Sequence, residues 1–239
     1  MNNIKPEIKF KTSNKPVDYQ EAVSFMENYV AEILAGNQPE LIWLTTHQPI
    51  YTAGVSAKPE DLLQNSPASF ADTNSIALNR RNIIPVHKTN RGGKHTYHDD
   101  GMRIIYVMLN LKNAFAPYQP DIAKFVEMLE NWVIKVLARL EIKGEIRKDR
   151  VGIWVECLDE NGNKTEKKIA AMGIKIKKWI SYHGIAININ PDLEGFKGIV
   201  PCGLKDFGVT SITDLGKKIS FEEIDEIIKE EFFKIFKNY

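Results

Sequence analysis

Apolar residues recur at intervals of three and four in two long stretches of the chain, and this spacing predicts helices. The clearest run is 121–140, where Ile122, Phe125, Val126, Leu129, Trp132, Val133, Val136, Leu137 and Leu140 form one stripe. A helix of that length spans about 30 Å, and burying the stripe against a sheet outweighs the small propensity cost of its β-branched members. Residues 17–34 repeat the pattern with Val17, Ala22, Met26, Tyr29, Val30, Ile33 and Leu34, and Gly36 supplies a stop. Ser220 and Glu223 stand at the capping-box spacing and lead into a terminal helix with Ile224, Ile227, Ile228, Phe232 and Phe233.

Elsewhere the period shortens to that of strands. Residues 41–46 predict a strand running into Pro49, whose missing N–H disfavours a central ladder; Tyr51, Thr52 and Gly54 then read as a turn or pocket edge. Residues 58–80 predict a loop with at most a short helix, and 81–88 a strand. Residues 103–111, with Ile104, Ile105, Tyr106 and Val107, predict a buried strand. Segments 151–158 and 167–177 form two strands joined by the exposed turn Glu160-Asn-Gly-Asn163, and 181–190 alternates up to Pro191. Successive strands without helices between them favour an α+β fold, a mixed β-sheet with flanking helices, over a doubly wound parallel sheet.

Composition narrows the function classes. The chain has 239 residues, 43% hydrophobic and 26% charged, and a chain of this size can bury about 70% of its extended surface. A net charge of +1 gives no argument for nucleic acid or membrane recruitment. Cys157 and Cys202 cannot make a disulfide scaffold, and metal-binding cysteine spacings are absent. The first twelve residues carry four charges and no apolar core of a signal peptide, and no later stretch is long and apolar enough for a bilayer. A cytoplasmic protein with reduced thiols is expected, as one large domain or one plus a small lobe, with 1–16 flexible.

The densest polar and glycine-rich segment is Arg91-Gly-Gly-Lys-His-Thr-Tyr-His98, continued by Asp99, Asp100 and Gly101. Gly92 and Gly93 permit close backbone approach, and Arg91 can hold an anion or carbonyl-bearing group, so the segment reads either as a pocket rim or as a solvated tight turn. His95 and His98 lack a third ligand for a metal site, and none is expected. Cys202, in Ile199-Val-Pro-Cys-Gly203, is a nucleophile or a core thiol; Cys157 reads as structural. Lys168 opens the small-residue strand Lys168-Ile-Ala-Ala-Met-Gly173, which permits close ligand approach. His183 suits proton transfer near neutrality, while His47 and His87 read as packing or pocket-edge residues. No dinucleotide fingerprint, P-loop or serine-hydrolase elbow occurs.

The ordered motifs resemble those of the lipoyl(octanoyl) transferase family, octanoyl-[acyl carrier protein]:protein N-octanoyltransferases. They run from Ile42-Trp-Leu-Thr-Thr-His-Gln-Pro-Ile-Tyr-Thr-Ala-Gly54 through the Arg91–His98 segment, Gly152-Ile-Trp-Val155, Lys168–Gly173 and Tyr182-His-Gly-Ile-Ala-Ile-Asn188 to Pro201-Cys-Gly203 and Gly208-Val-Thr-Ser211. The resemblance implies the fold of the lipoate-protein and biotin-protein ligase catalytic domain, and a single octanoyltransferase-like catalytic domain over 1–239. It implies Cys202 as the acyl-thioester nucleophile and Lys168 as its base. A substrate pocket follows from Arg91, Gly92, Gly93, Lys94, His95, Thr96, Tyr97 and His98, with Ala171, Met172, Gly173, Gly184, Ile185 and Ala186; His183 is auxiliary. No cofactor is implied. The donor implied is octanoyl-acyl carrier protein, and the acceptors are apo lipoyl domains of 2-oxoacid dehydrogenase complexes or the glycine cleavage H protein. An ATP-dependent lipoate-protein ligase and a non-catalytic carrier or lipoyl-domain binding protein are the alternatives. The chain departs from the family phrase at Asp99-Asp100, where Gly-Pro is usual, a change of turn freedom and charge beside the pocket.

Overall fold

The computed structural model describes residues 7–62, 68–70, 84–148, 150–159, 161–199 and 207–238. In chain order the elements are β1 (Ile8–Thr12), α1 (Tyr19–Ala35), β2 (Glu40–Thr45), β3 (Ile50–Ala53), β4 (Ala68–Phe70), β5 (Ile84–Lys88), β6 (His95–His98), β7 (Met102–Met108), α2 (Leu111–Ala114), α3 (Ile122–Ala138), β8 (Glu145–Arg147), β9 (Arg150–Leu158), β10 (Lys164–Lys177), β11 (Ile180–Asn188), β12 (Gly208–Val209) and α4 (Phe221–Ile235). Short 3-10 helices lie at Pro59–Asp61 and Leu193–Gly198.

The central strands carry apolar residues at consecutive positions, so the sheet they build is covered on both faces. Its order is β1-β2-β7-β11-β10-β9-β8, with β12 beside β10. β1 is parallel to β2 and β12 to β10, and the other pairs are antiparallel. On one face Ile42, Leu44, Ile105, Val107, Ile185 and Ile187 pack with Phe125, Leu129, Trp132 and Val133 of α3 and Ile224, Ile228 and Phe232 of α4. On the other, Leu41, Trp43, Ile104, Tyr106 and Ala186 meet Ala22, Met26 and Val30 of α1 and a second sheet of order β4-β5-β3-β6. This is the α+β architecture expected from the strand and helix pattern.

Local chemistry fixes the helix ends. Asp18 caps α1 through the N–H groups of Gln20 and Glu21, and Gly36 ends it at φ 77°. The Ser220–Glu223 capping box starts α4.

Several expectations change. Tyr51 and Thr52 are not in a turn: β3 lies inside the second sheet, parallel to β5 and antiparallel to β6. The chain breaks at Pro49 to change sheets, not to end strand structure. His95–His98 is a strand as well, so the glycine-rich turn is confined to its N-terminal side. The loop expected over 58–80 includes strand β4. Within the stretch expected to be flexible, Ile8–Thr12 forms β1. β7 stops at Met108, and Leu111 opens α2 because Asn110 accepts the Lys112 N–H as a cap. Among the described residues no helix is long and apolar enough to cross a membrane.

Candidate active site

β10 and β11 pair Ala171 with Ala186 and Gly173 with Gly184. Side chains this small leave a trough in the sheet that larger strand residues would fill. The trough faces the second sheet, whose strand β6 and preceding loop form its roof, and the two enclose about 560 Å³ of space, part of it open to solvent. The lining includes Arg91, Gly93, Lys94, His95, Thr96, His98, Ala171, Met172, Gly173, His183, Gly184, Ile185 and Ala186. Gly92 is not in the lining: its N–H donates to Ile174 O at 3.3 Å. Tyr97 lines a smaller adjoining cavity with Lys168, Asn188, Phe196 and Val209, and both cavities share His95, Thr96, Ala171 and Ala186. Tyr19, Ile104 and Tyr106 also line the larger space. Sequence reasoning missed them because Tyr19 and Tyr106 belong to elements read only for packing.

The roof loop is tied down by its own arginine. Arg91 lines the cavity, and its Nη2 donates to Thr52 O and Oγ1, both at 2.7 Å, and Nη1 to Gly92 O at 2.9 Å. Gly54 and Gly173 make this fit possible. A Cβ on Gly54 would sit 2.8 Å from Arg91 Nη1, and one on Gly173 3.0 Å from Gly92 O.

The pocket's histidines are neutral near pH 7. Burial pushes His183 down to about 4, helped by the Arg91 and Lys175 charges. Burial likewise holds His98 well below the ordinary value, with His47, Arg91 and His183 adding to it, and lowers His47 and His95. His47 Nδ1 lies 2.7 Å from Val17 O and so carries the proton; Nε2, 2.6 Å from Tyr106 Oη, accepts from the tyrosine hydroxyl. His183 adopts φ 60°, an uncommon conformation for this residue type, at the pocket wall. His87 is at the pocket's outside, 3.3 Å through Nδ1 from Gln20 Nε2. Among the described residues no cluster of three or more His, Cys, Asp or Glu is arranged to hold a metal.

Lys168 is 5% exposed. Its Nζ donates to Val151 O at 2.9 Å and stands 4.6 Å from the centre of the Trp154 ring. The motif Gly152–Val155 is therefore the seat of Lys168: Gly152 leaves space for the Lys168 stem, and Trp154 offers its ring face.

Cys202, Pro201 and Gly203 lie outside the described residues. The segments on either side are well held. Before it, Asp99 Oδ2 accepts from Asp192 N at 2.7 Å, Tyr51 Oη donates to Gly195 O at 2.5 Å, and Phe196 packs edge-on to Tyr97. After it, Phe207 packs on Trp154, and β12 pairs Val209 with Lys168. The departure at Asp99-Asp100 thus has a local use. Asp99 is buried and closes its turn by accepting from Gly101 N at 3.0 Å, while Asp100 faces solvent.

A family model described as the lipoyl protein ligase A/B catalytic domain matches residues 18–233. An octanoyltransferase of Wolbachia pipientis wMel is 46% identical over 94% of this chain and 97% of its own length. One from Ehrlichia chaffeensis is 45% identical over 97% of each. Among solved structures, lipoate-protein ligase A bound with ATP superposes with a TM-score of 0.68 at 15% identity, covering 98% of this chain and 86% of that one. The bipartite lipoate protein ligase of Thermoplasma acidophilum gives 0.64 at 14% identity, covering 97% and 85%. At these identities the likeness to the ligases is one of fold.

Proposed function

The chain belongs to the lipoyl protein ligase A/B catalytic family and, within it, to the octanoyltransferases, enzymes of octanoyl transfer to a lipoyl-domain lysine; from that premise we propose that Cys202 and Lys168 carry the transfer here. The observation that supports this most is the position of Lys168. Its buried amine opens on a cavity that continues into the Ala/Gly-floored space and is also lined by Phe196 and Val209, on the two sides of Cys202 in the chain.

In this reading octanoyl-acyl carrier protein is the donor. The Cys202 thiolate attacks the thioester carbonyl, the carbon–sulfur bond to the carrier arm breaks, and the departing thiolate takes a proton. A free thiol, with a pKa of about 8.5, is only a few per cent ionised at neutral pH, so a nearby amine that receives its proton controls availability. The acceptor lysine then attacks octanoyl-Cys202, Lys168 relays the proton it loses, and the sulfur leaves protonated. Thioester to amide conversion runs downhill without ATP. Apo lipoyl domains of 2-oxoacid dehydrogenase complexes or the glycine cleavage H protein are the acceptors, in the cytoplasm, with the chain acting as one catalytic domain. Each methylene buried between sheet and roof contributes about 0.8 kcal/mol.

Incubation with octanoyl carrier protein and an apo lipoyl domain, ATP omitted, tests this by intact mass. An octanoyl adduct on Cys202 and a modified acceptor are expected. Cys202→Ser removes the thioester adduct and Lys168→Ala slows its formation at least about 100-fold. Transfer that persists at full rate in either variant overturns the assignment, and modification only with free acid and ATP supports ligase chemistry instead.

A further inference from the structure

The peptide between Val151 and Gly152 belongs to neither ladder beside it. β8 pairs Arg147 with Arg150 and Ile146 with Ile153, a register that skips it, while the pairing with β10 ends at Ala170 with Ile153, just short of it. A peptide group released from a ladder must find other partners if it is buried. Its carbonyl accepts from Lys168 Nζ at 2.9 Å. Its N–H lies near enough to the carboxyl of Glu130 on α3 to hold that group down against the upward push of burial. Gly152 reaches this geometry at φ 112°, where a Cβ would lie 2.6 Å from Ala170 O and 3.3 Å from Lys168 Cε.

Glu130 is itself out of place. It falls in phase with Val126, Val133 and Leu137 on the apolar stripe and is 7% exposed. A buried carboxylate on the core side of a helix is costly unless something compensates it, and what it meets is the amide whose other end holds Lys168. The two side chains lie on opposite faces of the sheet, Glu130 among the residues packed with α3 and Lys168 in the cavity with Tyr97 and Phe196.

We propose that Glu130 is a positioning residue for Lys168, acting across the sheet through the Val151–Gly152 peptide. It fixes the plane of that peptide so that the carbonyl points at Nζ, and it polarises the amide so that the carbonyl is a stronger acceptor for an ammonium. Among the described residues the other charged or titratable groups facing Lys168 are Arg150, whose guanidinium is 4.5 Å from the centre of the Trp154 ring that also contacts Nζ, and His95 and Tyr97 in the same cavity. Glu127 is the neighbouring acid on α3. The inference rests on the reading of Lys168 as the base.

The test compares wild type with Glu130→Gln, Glu127→Gln and Lys168→Ala in octanoyl transfer from carrier protein to an apo lipoyl domain across pH. In Glu130→Gln, kcat is expected to fall roughly tenfold, with KM for both proteins within about twofold. Glu127→Gln, which removes the same charge from the exposed side of α3, tracks wild type. An inactive Lys168→Ala together with a Glu130→Gln profile that overlays wild type overturns this inference alone; full transfer by Lys168→Ala overturns the reading of the base and this inference with it. If Glu130→Gln does not fold, the Gly152 amide proton of labelled protein decides. A resonance that moves between wild type and Lys168→Ala supports the link, and one that stays fixed overturns it.

Discussion

The two faces of the large sheet are built from alternate residues of the same strands, yet one is filled and the other is hollow. Toward α3 and α4, β7 and β11 present Ile105, Val107, Ile185 and Ile187, and the space beyond is filled by Trp132, Phe125 and Phe232. Toward the second sheet, Ala171, Gly173, Gly184 and Ala186 stop short and leave the cavity. Polar groups divide in the same way. On the filled face Trp132 Nε1 donates to Ile228 O at 2.9 Å, and Arg103 forms an ion pair with Asp225 at 2.9 Å. On the hollow face stand histidines whose pKa values burial lowers, and Lys168 between the Val151 carbonyl and the Trp154 ring. One face is packed for cohesion, and the other is left underpacked.

The largest test of this division is Trp132→Ala. It removes a fully buried indole and its hydrogen bond, and a loss of about 3–5 kcal/mol is expected in urea titration. The transfer rate per folded molecule should hold, since the ring lies on the other side of the sheet. A specific rate that collapses along with stability would mean that the faces are not separable.

Filling the hollow face should do the reverse. Ala171→Leu places a branched side chain in the floor between the two cavities, and octanoyl transfer is expected to drop roughly 100-fold by displacing the acyl chain from the thioester end. Stability should change by less than about 1 kcal/mol, because the new atoms enter empty space and not a packed core. A shorter acyl donor should recover part of the rate. Equal rates for all chain lengths would place the guest elsewhere.

The filled face is the one that the chain advertises. Most of the α3 stripe is buried as its spacing predicts, because a helix packed on a sheet needs a continuous apolar face; Val126 and Leu140 are half-buried, and the first member, Ile122, is exposed at the helix start. The hollow face is less legible. β3 has four residues between Pro49 and Gly54 and is paired with β5 and β6, so its strand character comes from partners distant in the chain. The motif residues of the roof and floor do come together, but what each does depends on contacts that spacing cannot carry: Arg91 is engaged by Thr52, and Asp99 by the backbone of Asp192. Glu130 left one signal, an acid in phase with an apolar stripe. Its partner, a peptide skipped by the β8 register, has no sequence signature beyond Gly152.

The smallest expected effect concerns the histidines. His183 is buried with a pKa of about 4, against about 6.5 in an unfolded chain. Above pH 6.5 both states are neutral and the residue contributes no pH dependence. As pH falls below 6.5 the unfolded chain takes up a proton that the native state refuses until about pH 4, so stability declines through that window. Between pH 7 and 5 this one group accounts for about 1–2 kcal/mol of loss. His183→Asn is the suitable probe, because asparagine tolerates the positive φ. Its stability should match wild type more closely at pH 5 than at pH 7 implies, with a slope shallower by about one proton in urea titrations across the window. His47, His95 and His98 are shifted in the same direction and remain in the variant, so a residual slope is expected. Parallel curves for the two proteins would show that His183 is already protonated or solvated in the native state, and the hollow face would then be wetter than its buried side chains imply.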